Sequence, residues 1–399
     1  MSSHPARLGR SARVLLGLLS RLHYGRLELL GPGGQSFSFP GALPGPDAVI
    51  HLQDWEVASD VLRAGQLGFA EAYLQGRWHT PDLPAVLTLA ALNRGALAQG
   101  IHGRRWSNLV YRLRQLLRAN TRAGARRNIH AHYDLGNDFY RRWLDQTMTY
   151  SSAAFDGEWS RSLEDAQTTK YERIVRLVNP RPGECILEIG CGWGGFAEYA
   201  ARTRGCRVHG ITVSRKQLPW AQERIRRAGL EHLVTLEFRD YRDVQGSYDH
   251  VVSIEMYEAV GERYWRTYFA TLARALAPGR SAMIQAITID ERLFERYRTG
   301  TDFIQQYIFP GGMLATPARI REEAARAGLE VTQAEPFGAD YAETLRRWRH
   351  QFTAELPAIH ALGYPESFIR MWEFYLAYCE AGFATRCTDV YHFQLSRSR

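Results

Sequence analysis

An acid and three glycines at alternate positions are the residues with the clearest chemical potential. Glu188 lies within the otherwise apolar run 185–189, and Gly190, Gly192 and Gly194 follow it. Glycines at a strand-to-helix turn can adopt positive φ, and their bare backbone lets a ligand approach closely. Dinucleotide-binding turns usually have the wider G-x-G-x-x-G spacing, which places a pyrophosphate at the helix N-terminus. The tighter spacing with an acid inside the motif favours a ligand with an amino-acid end and no phosphate, namely S-adenosylmethionine.

Seven predicted strands alternate with segments of helical apolar spacing. These strands are Cys185–Ile189, Arg207–Val213, Val234–Phe238, Tyr248–Ile254, Ser281–Ile289, Leu329–Glu335 and Val390–Ser396. Strands that alternate with helices predict a doubly wound, mostly parallel α/β sheet. The aromatic-rich connections 290–328 and 337–389 follow strands whose C-terminal ends should face the ligand. We therefore expect both connections to form helical lids over a substrate.

Residues 1 to about 90 predict a small α+β unit. Its strand, turn and helix signals lie at Leu27–Leu30, 31–34, Val49–Leu52, 57–67 and 69–74. Periodicity alone favours a structural appendage for this unit. The apolar run Val14–Leu19 is too short for the core and cleavage site of a signal peptide. No run approaches the length of a membrane-spanning helix.

A strongly basic segment follows, and it has no acidic residue between Arg94 and Tyr133. Eight arginines lie between residues 104 and 127, and leucines interleave with them at helical spacing. The formal net charge of the whole chain is +8, so the positive excess is local. The pattern is typical of an amphipathic helix on anionic lipid, with a solvated linker helix as the alternative. Because no nucleic-acid recognition motif accompanies the arginines, we expect no nucleic-acid partner.

The bulk composition suits a two-domain protein of a reducing compartment. A chain of 399 residues is long enough for two domains with full cores. Its five cysteines include no C-x-x-C pair. Their odd number and irregular spacing argue against a disulfide framework or a zinc site, so we expect no metal. The cytoplasm is the simplest setting, and we expect any contact with lipid to be peripheral, on the inner face of the membrane.

Further motifs occur along the chain in a characteristic order. They are His132–Asn137, Tyr150–Ser152, Gly210–Gln217, Asp240–Asp243, Val252–Gly261, Tyr307–Gly312, Phe337–Tyr341 and Arg370–Trp372. With the glycine turn, they resemble the cyclopropane-fatty-acyl-phospholipid synthase family and its mycolic-acid relatives, from about residue 128 onward. Residues 1–120 resemble the lipid-binding N-terminal domain of that family. The resemblance thus implies domains 1–120 and 121–399, with a seven-stranded class I methyltransferase sheet and a small N-terminal α+β domain.

The resemblance implies S-adenosylmethionine as the cofactor and assigns residues to each part of it. The methionine end would be held by Glu188, Gly190, Gly192 and Gly194, and covered by Tyr133, Tyr150 and Ser151. The ribose would meet Thr212 and Gln217, with Gln217 taking its hydroxyls, and the adenine would meet Asp240 and Tyr241.

The implied reaction joins the sulfonium methyl to a cis double bond in an acyl chain of a phospholipid and closes a cyclopropane ring. Because a double bond is a poor nucleophile, positioning supplies much of the rate. Attack leaves a carbocation in the chain, and an aromatic face can stabilise it by up to roughly 2 kcal/mol. We expect a few of the nine aromatic residues near the predicted lids to do so: Tyr257, Tyr264, Trp265, Phe303, Tyr307, Phe309, Tyr341, Trp348 and Tyr375.

Ring closure also requires a base that takes a proton from the transferred methyl. In the family a bound bicarbonate does this, and Glu258 and Tyr341 match side chains that hold it. Ser152 and Ile287 match positions that contribute mainly through their backbone. Glu258 is the strongest catalytic candidate, since a buried carboxylate could itself serve as the base.

The chain departs from the family pattern near this site. Ala259 and Gln285 replace two histidines, Glu255 replaces a glycine, and Ser152 stands where cysteine is common. Glutamine keeps hydrogen-bonding capacity but cannot be protonated. If the proton leaves a neighbouring carbon instead, or the cation is quenched in another way, the product is a methyl- or methylene-branched chain. The sequence also leaves open methylation of a non-lipid alkene or amine, a lipid-binding protein with an inactive site, and a homodimer.

Overall fold

Two β-sheets organise the part of the chain that the computed structural model describes, residues 8–98 and 135–397. The predicted basic helix, Tyr133 and the predicted domain boundary at residue 120 lie outside the described residues. Within the described ranges, no helix is both long and apolar enough to cross a membrane.

The N-terminal unit is a four-stranded sheet packed with helices. Its strands are β1 (Tyr24–Leu30), β2 (Ser36–Pro40), β3 (Leu43–Leu52) and β4 (Trp78–His79). Its helices are α1 (Arg10–Leu19), α2 (Glu56–Ala64), α3 (Gln66–Leu74), α4 (Leu83–Leu92) and α5 (Arg94–Ala98). The sheet order is β2-β1-β3-β4, with β1 antiparallel to β2 and parallel to β3.

The predicted hairpin of this unit is confirmed, and one predicted helix is wrong at its end. The Gly31 N–H donates to the Gln35 carbonyl at 2.7 Å and closes the turn between β1 and β2. The helix predicted over 57–67 stops at Ala64, because Gly65 has a φ of +60° that a glycine adopts without steric cost. Leu67 therefore belongs to α3, where it is buried.

The C-terminal part is built on a seven-stranded sheet. Its strands are β5 (Cys185–Ile189), β6 (Arg207–Thr212), β7 (Val234–Phe238), β8 (His250–Ile254), β9 (Ser281–Ile289), β10 (Leu329–Pro336) and β11 (Thr388–Arg397). The order is β10-β11-β9-β8-β5-β6-β7, and β11 runs antiparallel to both of its neighbours. The bounds of β5, β7 and β9 are those predicted. The strand predicted from Tyr248 begins at His250, because Tyr248 pairs with Leu276 through an isolated bridge.

Helices cover both faces of this sheet, which confirms the doubly wound α/β fold. They are α6 (Asn137–Trp143), α7 (Leu163–Val178), α8 (Gly195–Arg204), α9 (Gln217–Arg227), α10 (Trp265–Ala275), α11 (Glu291–Thr299), α12 (Pro317–Arg326), α13 (Gly338–Ala354), α14 (Leu356–Ala361) and α15 (Glu366–Ala384). Apolar residues of α7, α8 and α9 form the core on one face, and those of α10 and α12 form the core on the other.

The connections predicted as lids also hold the N-terminal unit. Helices α13 and α15 pack against each other, and α3 and α4 pack on α15. Arg370 of α15 donates from Nε to the Tyr73 carbonyl at 2.7 Å, and its guanidinium lies 4.1 Å from the centre of the Tyr73 ring. Tyr307, in a π-helical turn over Ile304–Ile308, donates to Glu71 at 2.6 Å. These contacts join the two sheets into one structure around a shared interior.

Candidate functional site

A cavity of about 920 Å³ joins the glycine turn to the interior of the N-terminal unit. The site residues predicted from the sequence that line it are Tyr150, Ser151, Glu188, Gly190, Gly192, Thr212, Gln217, Asp240, Tyr241, Glu258, Ile287 and Tyr341. Ser152 and Gln285 are fully buried beside it, and Gly194 caps the start of α8. Every predicted site residue that the structure describes therefore lies at or beside this cavity, although these residues belong to many different strands and helices of the chain.

The strand before the glycine turn places the buried carboxyl of Glu188 next to the turn. The Gly190 N–H donates to the Ile211 carbonyl at 2.9 Å, and a Cβ added at Gly190 would lie 3.1 Å from Met256 Cγ. Glu188 is 3% exposed, and its Oε2 has no hydrogen-bond partner within the described ranges. Burial raises the pKa of Glu188 to about 8. A cationic amine next to this carboxyl would restore its charge and satisfy the oxygen, so the turn fits the amino-acid end of S-adenosylmethionine.

The residues predicted for the ribose lie at the junction of β6 and α9. The Thr212 hydroxyl accepts the Ser214 N–H at 3.1 Å, so it holds the turn between the two elements. Gln217 is the first residue of α9, and it is buried while it lines the cavity. The side-chain amide of Gln217 has both a hydrogen-bond donor and an acceptor, so it can bind the two hydroxyls of a ribose.

At the predicted adenine end, the carboxylate of Asp240 is held by an arginine that sequence reasoning did not select. Arg242 donates to Asp240 Oδ1 from Nε at 2.8 Å and to Oδ2 from Nη2 at 2.6 Å. The Arg242 guanidinium also lies 5.5 Å from the centre of the Tyr241 ring. The pair fixes the orientation of Asp240 and Tyr241 at the wall of the cavity.

Lys170 is a second residue that sequence reasoning missed. It belongs to α7, is 0% exposed, and donates from Nζ to the Ser151 hydroxyl at 2.7 Å. Burial lowers the pKa of Lys170, and the charges of Glu255 and Glu188 oppose that change. The helical spacing of Gln167, Lys170 and Ile174, three and four residues apart, was the available signal, because it puts the lysine on the buried face of α7.

Three donors converge on the carboxylate of Glu255. Its Oε1 accepts the Ser152 backbone N–H at 2.8 Å and Gln285 Nε2 at 2.7 Å. Its Oε2 accepts the Tyr341 hydroxyl at 2.6 Å. Burial raises the pKa of Glu255, and these three hydrogen bonds and the charge of Lys170 oppose that change. Glu255 also lines the cavity, so a fully coordinated carboxylate faces the space that a substrate would enter.

Glu258 presents a second carboxyl to the same cavity with a different set of contacts. Its Oε1 accepts the Ile287 backbone N–H, and its Oε2 has no hydrogen-bond partner within the described part of the chain. Burial and the nearby charge of Glu255 raise the pKa of Glu258 to about 8. Two carboxyls with unequal numbers of donors titrate apart: the pKa of about 8 keeps Glu258 protonated near neutral pH, while the three donors to Glu255 favour its charged form.

A neutral histidine sets the orientation of Gln285. His392 Nε2 lies 2.9 Å from Gln285 Oε1, and burial lowers the pKa of His392 to about 3. A neutral imidazole that donates to the amide oxygen turns the Gln285 NH₂ group toward Glu255. In the sequence, position 285 has lost the histidine of the family pattern. In the structure, His392 of the neighbouring strand β11 lies next to Gln285.

Three of the nine aromatic residues proposed for cation stabilisation line the cavity, namely Phe309, Tyr341 and Tyr375. The Tyr375 and Tyr150 hydroxyls lie 2.7 Å apart, so two tyrosines meet at the wall. Tyr257, Trp265 and Trp348 belong to the packed cores instead. The apolar spacing of a segment could not separate these two groups, since both are buried.

The chain matches a protein-family model and several known proteins. Residues 120–393 match the family described as mycolic acid cyclopropane synthetase. The tuberculostearic acid methyltransferase UfaA1 of Mycobacterium tuberculosis is 40% identical over 361 residues, which are 88% of this chain and 83% of that protein. The cyclopropane-fatty-acyl-phospholipid synthase of Escherichia coli is 33% identical over 382 residues, which are 93% of this chain and 92% of that protein.

Solved structures with the same fold include mycolic acid cyclopropane synthase CmaA1 complexed with SAH and CTAB. Its TM-score is 0.64 at 27% identity, and the match covers 68% of this chain and 98% of that chain. Coclaurine N-methyltransferase has a TM-score of 0.65 at 17% identity over 84% of this chain and 100% of that chain, which is a likeness of fold alone. The seven-stranded sheet is therefore that of class I methyltransferases.

Proposed function

Since the chain belongs to the mycolic acid cyclopropane synthetase family, we propose that it alkylates the cis double bond of an unsaturated acyl chain in a membrane phospholipid. It is an S-adenosylmethionine-dependent methyltransferase of the cyclopropane-fatty-acyl-phospholipid synthase type. S-adenosylmethionine supplies an electrophilic methyl group to the reaction. We assign its amino-acid end to Glu188 and the glycine turn, its ribose to Gln217, and its adenine to Asp240 and Tyr241.

The observation that supports a lipid substrate is that one continuous cavity joins the glycine turn to the N-terminal unit. From the glycine turn it reaches a chamber in the N-terminal unit that is lined by leucine, isoleucine and valine side chains, among them Leu27, Leu29, Ile50, Val57 and Val86. An apolar chamber offers nothing to a polar substrate but removes the surface of an acyl chain from water, at about 25 cal/mol per Å². A non-lipid amine would leave this part of the cavity without a role.

Residues of the chain can hold the double bond in line and stabilise the charge that develops. Phe309 and Tyr375 place aromatic faces in the same cavity as the carboxyls of Glu255 and Glu258. Aromatic faces and carboxylates both stabilise a positive charge, and their effect is largest where water is excluded. These groups could therefore stabilise a carbocation that forms on the acyl chain.

A methyl- or methylene-branched acyl chain is the second candidate product. Two observations favour it: the 40% identical relative is a tuberculostearic acid methyltransferase, and Glu255, Ala259 and Gln285 depart together from the cyclopropane synthase pattern. Both products arise from the same first carbocation. Direct loss of a proton from the transferred methyl gives the ring. Loss from a chain carbon next to the cation gives a methyl-branched alkene, and a hydride shift from the methylated carbon followed by loss of a methyl proton gives the methylene branch.

We place the reaction at an anionic membrane surface on the cytoplasmic side. The support is the run of eight arginines between residues 104 and 127, since anionic lipid attracts basic segments by about 1 kcal/mol per charge near the surface. Vesicles with and without anionic lipid test this placement. Binding that is independent of the anionic fraction and of salt would contradict it.

Labelled S-adenosylmethionine and vesicles of an unsaturated phospholipid test the activity itself. We expect label in the lipid fraction and a mass gain of one CH₂ in the acyl chain. Vesicles of the saturated phospholipid are the matched control and should take no label. NMR of the product lipid then separates the ring from the branch. Absence of label in the unsaturated lipid, with the protein folded and binding S-adenosylmethionine, would overturn the proposed function.

Filling the chamber should block the lipid but leave the cofactor. Ala90→Phe adds a ring to a residue that lines the cavity on the side of the N-terminal unit. We expect turnover on phospholipid to fall about tenfold or more, equivalent to ~1.4 kcal/mol, with an unchanged Kd for S-adenosylmethionine. Ala42→Phe, at an exposed position of the same unit, is the control. Equal turnover of the two variants would show that the acyl chain does not use this chamber.

Lys170→Met should shift the pH dependence of cofactor binding. The Lys170 charge lowers the pKa of Glu188, so its removal raises that pKa further above the present value of about 8. Glu188 is ionised above its pKa, and its carboxylate is the form that attracts an ammonium group. We expect the acid side of the affinity profile for S-adenosylmethionine to move to higher pH. The control is Lys216→Met, which removes the chain's other lysine, an exposed one; profiles that coincide for both variants and the wild type would refute the prediction.

A further inference from the structure

The groups predicted to hold a bicarbonate already hold a side chain of this protein. The backbone of Ser152, the amide of Gln285 and the hydroxyl of Tyr341 all donate to Glu255, at 2.8, 2.7 and 2.6 Å. Ile287, the other predicted contact, donates its N–H to Glu258. Because these donors have acceptors within the protein, the site does not fit a bound bicarbonate. A carboxylate and a bicarbonate present the same pair of oxygens to such donors.

The backbone at Glu255 is bent in a way that delivers its carboxylate to this place. Glu255 follows the last residue of β8 and has a φ of +48°. Left-handed backbone is unfavourable for a residue with a Cβ, and such conformations persist where surrounding contacts demand them. The Glu255 N–H donates to the Gln285 carbonyl at 2.8 Å, and the side chain makes the three bonds described above. Those contacts offset the strained turn.

The positive charge and the hydrogen bonds around Glu255 favour its ionised form, against the effect of burial. Lys170 of α7 is fully buried and contributes a positive charge, while Glu188, Glu258 and Asp145 are the acidic groups that act on this cluster. Glu255 accepts three hydrogen bonds, whereas Glu258 accepts one and Glu188 Oε2 accepts none within the described ranges. Hydrogen bonds from neutral donors favour the charged form of a carboxyl. Glu255 is therefore the carboxyl of the cavity best able to be ionised and accept a proton.

We propose that Glu255 is the proton acceptor of the reaction, a base built into the chain where the family resemblance predicts a bound bicarbonate. The inference rests on the proposed function. Once the methyl carbon has bonded to one alkene carbon, the other alkene carbon is cationic. To close the ring, a C–H bond of the transferred methyl breaks, and its electron pair bonds the methyl carbon to the cationic carbon. To form a new double bond instead, a C–H bond on a chain carbon next to the cation breaks, and its electron pair forms the π bond. In either case the proton passes to a Glu255 oxygen. The Lys170 charge and the three donors position the carboxylate but do not take part in the bond changes.

Two variants and one buffer component test the assignment. Glu255→Gln keeps the shape of the side chain and removes the base. Glu255→Gly suits the backbone, since glycine adopts a φ of +48° freely, and leaves its space open to a small carboxylate. We expect wild-type turnover on unsaturated phospholipid to be the same in bicarbonate-depleted and bicarbonate-supplemented buffer. Turnover of both variants should fall about 100-fold, within the range for loss of a general base.

Chemical rescue separates a base from a structural residue. Added bicarbonate or formate should raise the turnover of Glu255→Gly at least tenfold and saturably, whereas Glu255→Gln, with its space filled, should not respond. A wild type that depends on bicarbonate, a Glu255→Gln variant with wild-type turnover, or a folded Glu255→Gly variant without rescue would each overturn the inference. Cofactor affinity and thermal melting report folding, and Glu255→Gln decides alone if the glycine variant does not fold. If the wild type alkylates no lipid under any condition, the proposed function has failed instead.

Discussion

Glu258→Gln is expected to lower turnover about 100-fold near neutral pH, as for loss of an acid–base group, with little change in the Kd for S-adenosylmethionine. Glu258 lines the cavity, and its buried Oε2 has no hydrogen-bond partner among the residues that the structure describes. Its pKa of about 8 lets it exchange a proton near physiological pH. Glutamine can still accept the Ile287 N–H through its amide oxygen, so the fold should persist. The glutamine side chain cannot ionise. It therefore cannot stabilise the positive charge on the acyl chain as a carboxylate would, and it cannot pass on a proton received by Glu255.

The Glu258 experiment compares single-turnover rates and cofactor affinity in wild type, Glu258→Gln and Glu231→Gln. Glu231 is an exposed glutamate outside the cavity, so its variant controls for the loss of a negative charge. An equal loss of turnover and of cofactor affinity in Glu258→Gln would place Glu258 in binding. Unchanged turnover would mean that its neutral form is sufficient for the reaction. Either result would remove Glu258 from the proton-transfer chemistry.

Glu188→Gln is expected to weaken S-adenosylmethionine binding by about 10- to 100-fold. A hydrogen bond to a charged group contributes roughly 1.5–3 kcal/mol, and ~1.4 kcal/mol corresponds to a factor of ten. The buried Oε2 of Glu188, which has no partner in the part of the chain that the structure describes, is the acceptor that an ammonium group would satisfy. The rise of affinity with pH that we expect for the wild type should also vanish in Glu188→Gln, because the amide does not titrate. Calorimetric titration between pH 6 and 8 measures both effects.

The cofactor-free protein offers an independent readout for Glu188. Its pKa is raised to about 8 from a usual value near 4.5. A carboxyl with a raised pKa destabilises the fold as pH rises from its unfolded pKa through its folded pKa, because ionisation then favours the unfolded state. The glutamine variant should therefore melt at a higher temperature than the wild type at pH 8, and at a similar temperature at pH 5. A wild-type affinity for the cofactor in this variant would contradict the role of Glu188 in binding.

Local sequence pattern was sufficient to predict much of the fold and the cofactor-binding half of the site. The sequence predicts strands β5, β7 and β9 to the residue, since apolar runs bounded by turns depend on nearest neighbours alone. The glycine turn and the residues after β6 and β7 follow from topology, because the C-terminal ends of parallel strands share one edge of the sheet. The helix predicted over 57–67 failed at Gly65, where a single residue with positive φ interrupts an otherwise continuous helical spacing.

The chain by itself therefore determined the sheet, the cofactor class and the acids at the turn, all of which depend on short-range pattern and on strand order. Tertiary structure alone decided where the buried charges meet. Ser152 and Tyr341 lie 103 and 86 residues from Glu255, yet both donate to its carboxylate. A substitution of glycine by glutamate cannot be interpreted until the partners of the new carboxylate are known. The same holds for Lys170, since the protonation of a buried group depends on the charges and donors that folding packs around it.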